Sequence, residues 1–329
     1  MGLKAVPDFK LVVGSADVTA RVRDRLQSIV VIDNSGEESD TVEIVIDDRG
    51  NLVESPRKGA VLDVSLGWLG DELFHLGKFT VDEVEPSGPP DILTIRGKAA
   101  DMRQGFKAQR SRSFRDTTIG AIVARIATEN GLTPACAESL KATPIAHRDQ
   151  TNESDLHFLT RLGRDYGAVA APKDGRLVFA PASTGLSASG QSLGRVTLGR
   201  ADLTTWRGLA ADRDGHGRVR ARWRDPRTAR TRIASAGSGD PTKTLRNLYP
   251  NEAAAKAAAE AELSRLKGGE AGVELTLPGR AALVAQTPIT VTGLRAELAG
   301  DWIVSTAEHR AMFDGEGFVT RITGRRKAT

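Results

Sequence analysis

Gly59-Ala-Val-Leu-Asp-Val-Ser-Leu-Gly67, Gly77-Lys-Phe-Thr-Val-Asp-Glu-Val-Glu85 and Ile92-Leu-Thr-Ile-Arg-Gly97 return in the same order near the other end of the chain. There they read Thr287-Pro-Ile-Thr-Val-Thr-Gly293, Gly300-Asp-Trp-Ile-Val-Ser-Thr-Ala-Glu308 and Val319-Thr-Arg-Ile-Thr-Gly324. In each set an alternating strand ends on Gly. A second strand opens with Gly, a polar residue and an aromatic, with Val two residues on. A third strand closes on Gly followed by Lys98 or Arg325. An internal duplication of one small β domain accounts for this; the alternative is that any two three-stranded meanders share this much. A duplicated β domain fits assembly better than catalysis.

Working outward, Val42, Ile44 and Ile46 alternate with Glu43 and Asp47, the period of a half-buried strand. Asp33-Asn-Ser-Gly36, Asp48-Arg-Gly50 and Pro86-Ser-Gly-Pro-Pro90 supply turns, so residues 9–100 read as a small β barrel or sandwich. Near 101 the period changes. Asp116 or Thr117 can cap a helix carrying Ile119, Ile122, Val123 and Ile126, with Gly131 at its end. Asn152 or Ser154 can cap a second helix bearing Leu156, Leu159, Leu162 and Tyr166, stopped by Gly167, with Arg161, Arg164 and Asp165 on its wet side. Lys173-Asp-Gly175 turns a hairpin between Val169 and Phe179, and Ser183–Gly194 reads as a linker. Asp214-Gly-His-Gly217 reads as a turn joining Leu203–Ala211 to Arg218–Arg224 in a second hairpin. A long polar loop then leads to an Ala-rich helix, 251–267, capped by Asn251. The expected fold is α+β, mainly β: one β domain over 1–103, a helical insert with a hairpin over 104–190, and a second β domain over 191–329.

The chain has 329 residues, 46 basic against 42 acidic, and a net charge of +4, which argues against a dedicated nucleic-acid binder. Its one cysteine, Cys136, can form no intrachain disulfide or cysteine-based zinc site. There is no signal peptide or apolar span, so synthesis and folding in a cytoplasm are expected, with no membrane partner. Arg218, Arg220, Arg222 and Arg224 alternate with Val219, Ala221 and Trp223, placing four guanidinium groups on one strand face. Such a row can grip an acidic protein, or find acidic neighbours within its own fold; nucleic acid comes last, because no aromatics interleave on that face. Asp212-Arg-Asp-Gly-His-Gly217 lacks the ligands of a calcium loop. No histidine pair has metal-ligand spacing, and neither a nucleophile elbow nor a phosphate loop is present. No catalytic residue, cofactor or metal is assigned. Trp68, Trp206, Trp223 and Trp302 are candidate core or interface anchors.

The segment from Gln150 to Gly167 resembles the hallmark of the phage tail hub family, which contains the late control protein D of contractile-tailed phages and the hub part of type VI secretion spike proteins. The pattern is met by Gln150, Glu153, Ser154, Asp155, Phe158, Leu159, Arg161, Leu162, Tyr166 and Gly167. It extends to Gly97-Lys-Ala-Ala-Asp-Met-Arg103, Arg112–Ile119, Leu248-Tyr-Pro250, and His309 followed by Gly317-Phe-Val-Thr320. The resemblance implies two tube-like β domains per subunit and a homotrimer of pseudo-sixfold symmetry, placed between the sixfold tail tube or its initiator and the threefold central spike. Tape measure and baseplate wedge proteins are further implied neighbours. The absence of a fused needle or lysozyme domain fits a stand-alone phage-type hub. A tail-borne cell-wall hydrolase and a type VI-like spike hub are the alternatives.

Overall fold

The computed structural model describes residues 6–35, 38–99, 106, 108–173, 175–182, 193–210, 216–225, 227–269, 271–315 and 317–326. The first third forms β1 (Pro7–Val13), β2 (Ala16–Asp17), a one-turn helix α1 (Thr19–Val22), β3 (Leu26–Asn34), β4 (Thr41–Asp47), β5 (Val61–Trp68), β6 (Phe74–Ser87) and β7 (Ile92–Ala99). Val42, Ile44 and Ile46 point inward with Phe9, Ile29, Val31, Leu62, Phe79 and Ile95, closing one core. Then follow β8 (Gln109–Thr118), α2 (Ile119–Glu129), β9 (Thr133–Cys136), α3 (Glu138–Lys141), β10 (Pro144–Ser154), α4 (Asp155–Asp165), β11 (Ala168–Lys173) and β12 (Arg176–Pro181). They enclose a separate core around Ile122, Ile126, Phe158, Leu162 and Phe179. The last part holds β13 (Val196–Leu198), β14 (Thr205–Ala210), β15 (Arg218–Arg224), β16 (Thr231–Gly237), β17 (Thr242–Tyr249), α5 (Glu252–Gly269), β18 (Ala271–Pro278), β19 (Pro288–Val291), β20 (Gly300–Met312) and β21 (Gly317–Arg326).

The duplication is visible in topology. In the first copy the strands lie in the order β3-β4-β7-β6-β5-β1, and in the second β14-β18-β21-β20-β19-β13. Numbered by their order in the sequence, both are 2-3-6-5-4-1. The registers coincide as well. Gly77 faces Val64 and Gly300 faces Val291, both glycines at positive φ. β6 carries a bulge between Val81 and Glu83, and β20 carries one between Val304 and Thr306. The aromatic two residues after each strand-opening glycine, Phe79 or Trp302, is fully buried. The closing glycine of the third strand gives it room: a Cβ on Gly97 would lie 3.3 Å from the Phe79 Cβ, and one on Gly324 3.5 Å from that of Trp302. The repeated Gly-x-aromatic and Gly-basic signals thus mark an aromatic packed over a glycine on the next strand. The first-strand glycines do not correspond. Gly67 lies within β5, opposite Asp8, whereas Gly293 sits in the turn after β19. The copies differ at one end, where β1 runs antiparallel to β5 and β13 parallel to β19.

The two copies share one 13-stranded sheet. β20 is long enough to pair with β19 through Gly300–Ile303 and with β3 through Thr306–Met312. Sequence reading missed this seam, because both strands look like ordinary members of their own domain.

Two local expectations are corrected. Leu203–Ala211 does not form a hairpin with Arg218–Arg224: β14 pairs with β18, while β15 is the middle strand of the separate sheet β16-β15-β17. Of the expected turn Asp214–Gly217, residues 214 and 215 lie outside the described residues. The polar stretch before Leu248 is not a loop but β16 and β17, whose alternate residues Ala234, Ala236 and Tyr249 join Val219, Ala221 and Trp223 against Ala255, Ala258, Ala259 and Leu263 of α5. Short Ala side chains let the helix lie close to the sheet, and they weakened the apolar signal of those strands. Residues 191–329 therefore form two cores of their own, and their Ala281, Ala311 and Phe318 join the core of the first copy. The Ser/Gly linker falls mostly outside the described residues.

Candidate functional site

The Gln150–Gly167 signature is a capped helix built over a buried carboxylate. The Ser154 hydroxyl accepts the His157 N–H at 3.2 Å, capping α4; Gly167, at φ +62°, ends the turn that follows Tyr166. One residue on, the Asp155 side chain is fully buried. It accepts hydrogen bonds from the Gln150 Nε2 at 2.9 Å, the Asn130 Nδ2 at 2.9 Å and the Arg112 Nη2 at 2.6 Å. Gln150, itself buried, accepts the Arg112 Nε at 2.7 Å and donates to the Glu153 carbonyl at 2.9 Å. Glu129, at the end of α2, binds Arg110, Arg112 and Arg125. The cluster ties β8, β10, α2 and α4 together, and its satisfied polar groups fix how the two helices meet.

The other signature residues divide between packing and pairing. Phe158 stacks on Phe114 with ring centroids 5.2 Å apart, and Leu159 and Leu162 are buried beside it. Glu153 pairs with Arg161 and sits 2.8 Å from the His157 Nδ1; these partners hold its carboxyl below the usual range against the opposing effect of burial. Arg161 also lies over the Phe158 ring at 5.3 Å and donates to the Asp149 carbonyl. Asp165 is not on a wet face: it is buried, pairs with Arg148 and accepts the Tyr249 hydroxyl at 3.2 Å, joining α4 to β17. Its helical position pointed outward from the α4 core, but a second module covers that side. The α2 cap is Thr118, which accepts the Ala121 N–H at 3.2 Å, one residue beyond the expected pair.

A second buried cluster was not read from the sequence. Lys173, from β11, pairs with Asp33 of β3 and lies 3.6 Å from Asp40. Asp33 also accepts the Ala285 N–H at 2.7 Å, so one carboxylate joins both β copies to the insert. Burial pushes the Asp40 carboxyl up to about 7. Asp33 was assigned to a turn, yet 29, 31 and 33 share one face of β3, and that spacing already placed it inward. A cavity of about 290 Å³ opens beside the cluster, lined by Phe74, Val169, Val178 and Val284.

The arginine strand lies as expected. Val219, Ala221 and Trp223 face α5, and Arg218, Arg220, Arg222 and Arg224 occupy the other face of β15. Arg222 donates to the Arg246 carbonyl at 3.1 Å. Among the described residues no carboxylate pairs with these four, so the expected acidic neighbours are not found there. Ile233 and Leu248 are exposed beside Arg222 on the flanking strands. Trp302 and Trp223 are buried and Trp68 donates to the Gly279 carbonyl at 2.8 Å, whereas Trp206 remains 37% exposed. Among the described residues no group of His, Cys, Asp and Glu could hold a metal ion, and no helix is long and apolar enough to cross a membrane.

The family model described as phage tail baseplate hub (GPD) matches residues 75–315. The chain belongs to this family. It is 36% identical to the probable baseplate hub protein of Escherichia phage 186, over 97% of this chain and 92% of that one. It is 35% identical to the probable baseplate hub protein of Escherichia phage P2, over 98% and 93%. The 43 kDa tail protein of prophage MuSo2 from Shewanella oneidensis has the same fold, with a TM-score of 0.71 at 16% identity, covering 98% of this chain and 99% of that one. An E. coli type VI secretion component, described as structurally similar to T4 tail proteins, aligns with a TM-score of 0.55 at 13% identity, over 98% and 74%. Baseplate hub proteins are components of the virion tail.

Proposed function

We propose that this chain is a non-enzymatic hub at the tip of a contractile tail. It acts as a homotrimer whose six β copies form a pseudo-sixfold ring between the tail tube and a threefold spike. The observation that carries this reading is the repeated strand order and register of the two copies, already joined edge to edge within one chain. A surface presented six times can meet six tube subunits, while the parts present once per chain can meet a trimeric partner. The parts present once are the insert, within the proposed boundaries 104–190, and the β15–β17/α5 module carried inside the second β unit of 191–329; the first β unit spans 1–103. Tape measure and baseplate wedge proteins are further neighbours, and folding takes place in the host cytoplasm before assembly. The signature residues Gln150–Gly167 hold the insert's shape, and the arginine face of β15, with Ile233 and Leu248 beside it, meets an acidic protein surface. The mass of the full chain in solution, alone and with its neighbouring spike protein, tests the reading. A trimer, or a complex with three copies of each, is expected. A monomer that ignores the spike argues against it, and a clear zone on peptidoglycan would favour the hydrolase alternative.

A further inference from the structure

Among the described residues, two of the edges that the shared sheet leaves open lie at equivalent places of the repeat. β14 pairs with β18 on one side only, and β6 beyond Val81 pairs with β7 on one side only. These edges correspond to the two that already bind each other inside the chain. β14 occupies in the second copy the place of β3 in the first, and β6 occupies in the first copy the place of β20 in the second. We infer that the β14 edge of one subunit pairs with the outer half of β6 in the next, in the register that β3 and β20 use within one chain. The inference rests on the trimer reading above and names its self-contact.

The register follows residue by residue. Val42 and Val273 both face the closing glycine of the third strand, Gly97 or Gly324. Val31 lies opposite Val42 and Gly208 opposite Val273, so Val31 corresponds to Gly208 and Val30 to Arg207. The shared bulge fixes β6 against β20: Glu83 corresponds to Thr306, Glu85 to Glu308 and Ser87 to Arg310. Val30 faces Arg310 within the chain, so Arg207 faces Ser87 of the next subunit, and Gly208 faces Pro86.

The chemistry of the two edges fits this pairing. Arg310 binds Glu308 along its own strand at 2.9 Å. At the equivalent seam the basic residue comes from the other strand, as Arg207 diagonal to Glu85, within reach of a long side chain. Among the described residues nothing pairs with Arg207. The hydrogen bonds Ser35 N to Ser305 O and Phe313 N to Gln27 O set the alternation that makes Val31 and His309 a hydrogen-bonded pair. Pro86 takes the place of His309, so that pair keeps only the proline carbonyl as acceptor. Proline is tolerated there because β6 is an edge strand until a neighbour arrives. Trp206 corresponds to the fully buried Ile29 and is 37% exposed in the single chain. The register sets Gly88 of the neighbour opposite it. An open edge bearing an exposed Trp invites indiscriminate pairing unless a defined partner covers it.

Disulfide trapping tests the seam. Facing residues of a non-hydrogen-bonded antiparallel pair have Cα atoms about 4.5 Å apart, within the range a disulfide spans. In a full-length Cys136→Ser background, Ser87→Cys with Arg207→Cys joins chains on oxidation, giving a covalent trimer on a non-reducing gel. Val30→Cys with Arg310→Cys forms an intrachain bond and reports that the fold and the oxidation are sound. Glu83→Cys with Arg207→Cys, four residues out of register, gives no cross-link. If the intrachain control forms and the Ser87/Arg207 pair does not, the seam is overturned. A solution trimer would then leave the trimer reading standing on another surface, and a monomer would end both.

Discussion

Replacing Asp155 by Ala removes the acceptor at the centre of the signature cluster while leaving its donors in place. The Gln150 and Asn130 amides each lose a 2.9 Å bond, and the Arg112 guanidinium loses one of 2.6 Å, all at a side chain with no exposure. Removing one partner of a buried ion pair costs about 3–5 kcal/mol, because the remaining charge is neither solvated nor paired. Arg112 keeps Glu129 and Gln150 Oε1 as partners, which places the loss nearer 4 than 5 kcal/mol on that scale. Asp155→Asn keeps the volume and one acceptor, so about 2 kcal/mol is expected, the range of a charged hydrogen bond. The four tryptophans all lie outside the insert and do not report on it. Hydrogen exchange does. A loss of 4 kcal/mol speeds opening of the slowest α2 and α4 amides by about a thousandfold, each factor of ten being about 1.4 kcal/mol. The amides of β4 and β18, which belong to other cores, should be unaffected. An acceleration of less than tenfold in α2 and α4 would refute the claim that Asp155 organises the insert.

Gly163→Ala tests a close approach. Alanine normally favours a helix over glycine by about 1 kcal/mol, but a Cβ here would lie 2.6 Å from the Ala168 carbonyl oxygen. Backbone cannot step aside as a side chain can, so a net loss of about 1–3 kcal/mol in urea unfolding is expected. His309 is buried, with Nδ1 3.1 Å from the Thr320 hydroxyl, and burial lowers its pKa to about 4. The unfolded chain takes up this proton first, so His309 lowers stability as pH falls from 6.5 to about 4; His309→Gln should remove about 3 kcal/mol of that slope between pH 7 and 4. Asp40 acts with the opposite sign. Its carboxyl, raised to about 7 by burial, binds a proton more tightly in the folded chain, so stability falls as pH climbs from about 4 to 7. Asp40→Asn should flatten this by no more than about 3 kcal/mol in urea titrations at pH 5 and 8. The two slopes oppose each other in the native chain, so each variant should unmask the other.

The β copies were legible because each repeats features with a single structural cause: a glycine at positive φ, an aromatic core residue, and a glycine beneath it. The helices were legible because Ile119–Ile126 and Leu156–Leu162 keep helical spacing beside a capping hydroxyl. Pairing between distant strands was not, since β3 and β20 each satisfy the pattern of a strand within their own copy. The β15–β17 sheet was obscured by alanines that pack against α5 without standing out as apolar. At the signature, Gln150 and Asp155 were identified by type, but their joint use of Arg112 and Asn130 depends on β8 and α2 meeting α4, which no local spacing encodes. Asp33 was assigned to a turn although its period along β3 pointed inward.

The pairing of β3 with β20 also fixes an order of events during synthesis. Asn34 and Thr306, which meet at 3.2 Å, are 272 residues apart in the chain. At translation rates of about 5–20 residues per second, β3 leaves the ribosome roughly 14–54 s before its partner exists. Through that interval the nascent chain exposes a bare edge running from Ile29 to Ile32. Its safe passage depends on β4 folding back promptly on the other side, and on a chaperone or sheer dilution keeping chains on adjacent ribosomes from pairing with one another.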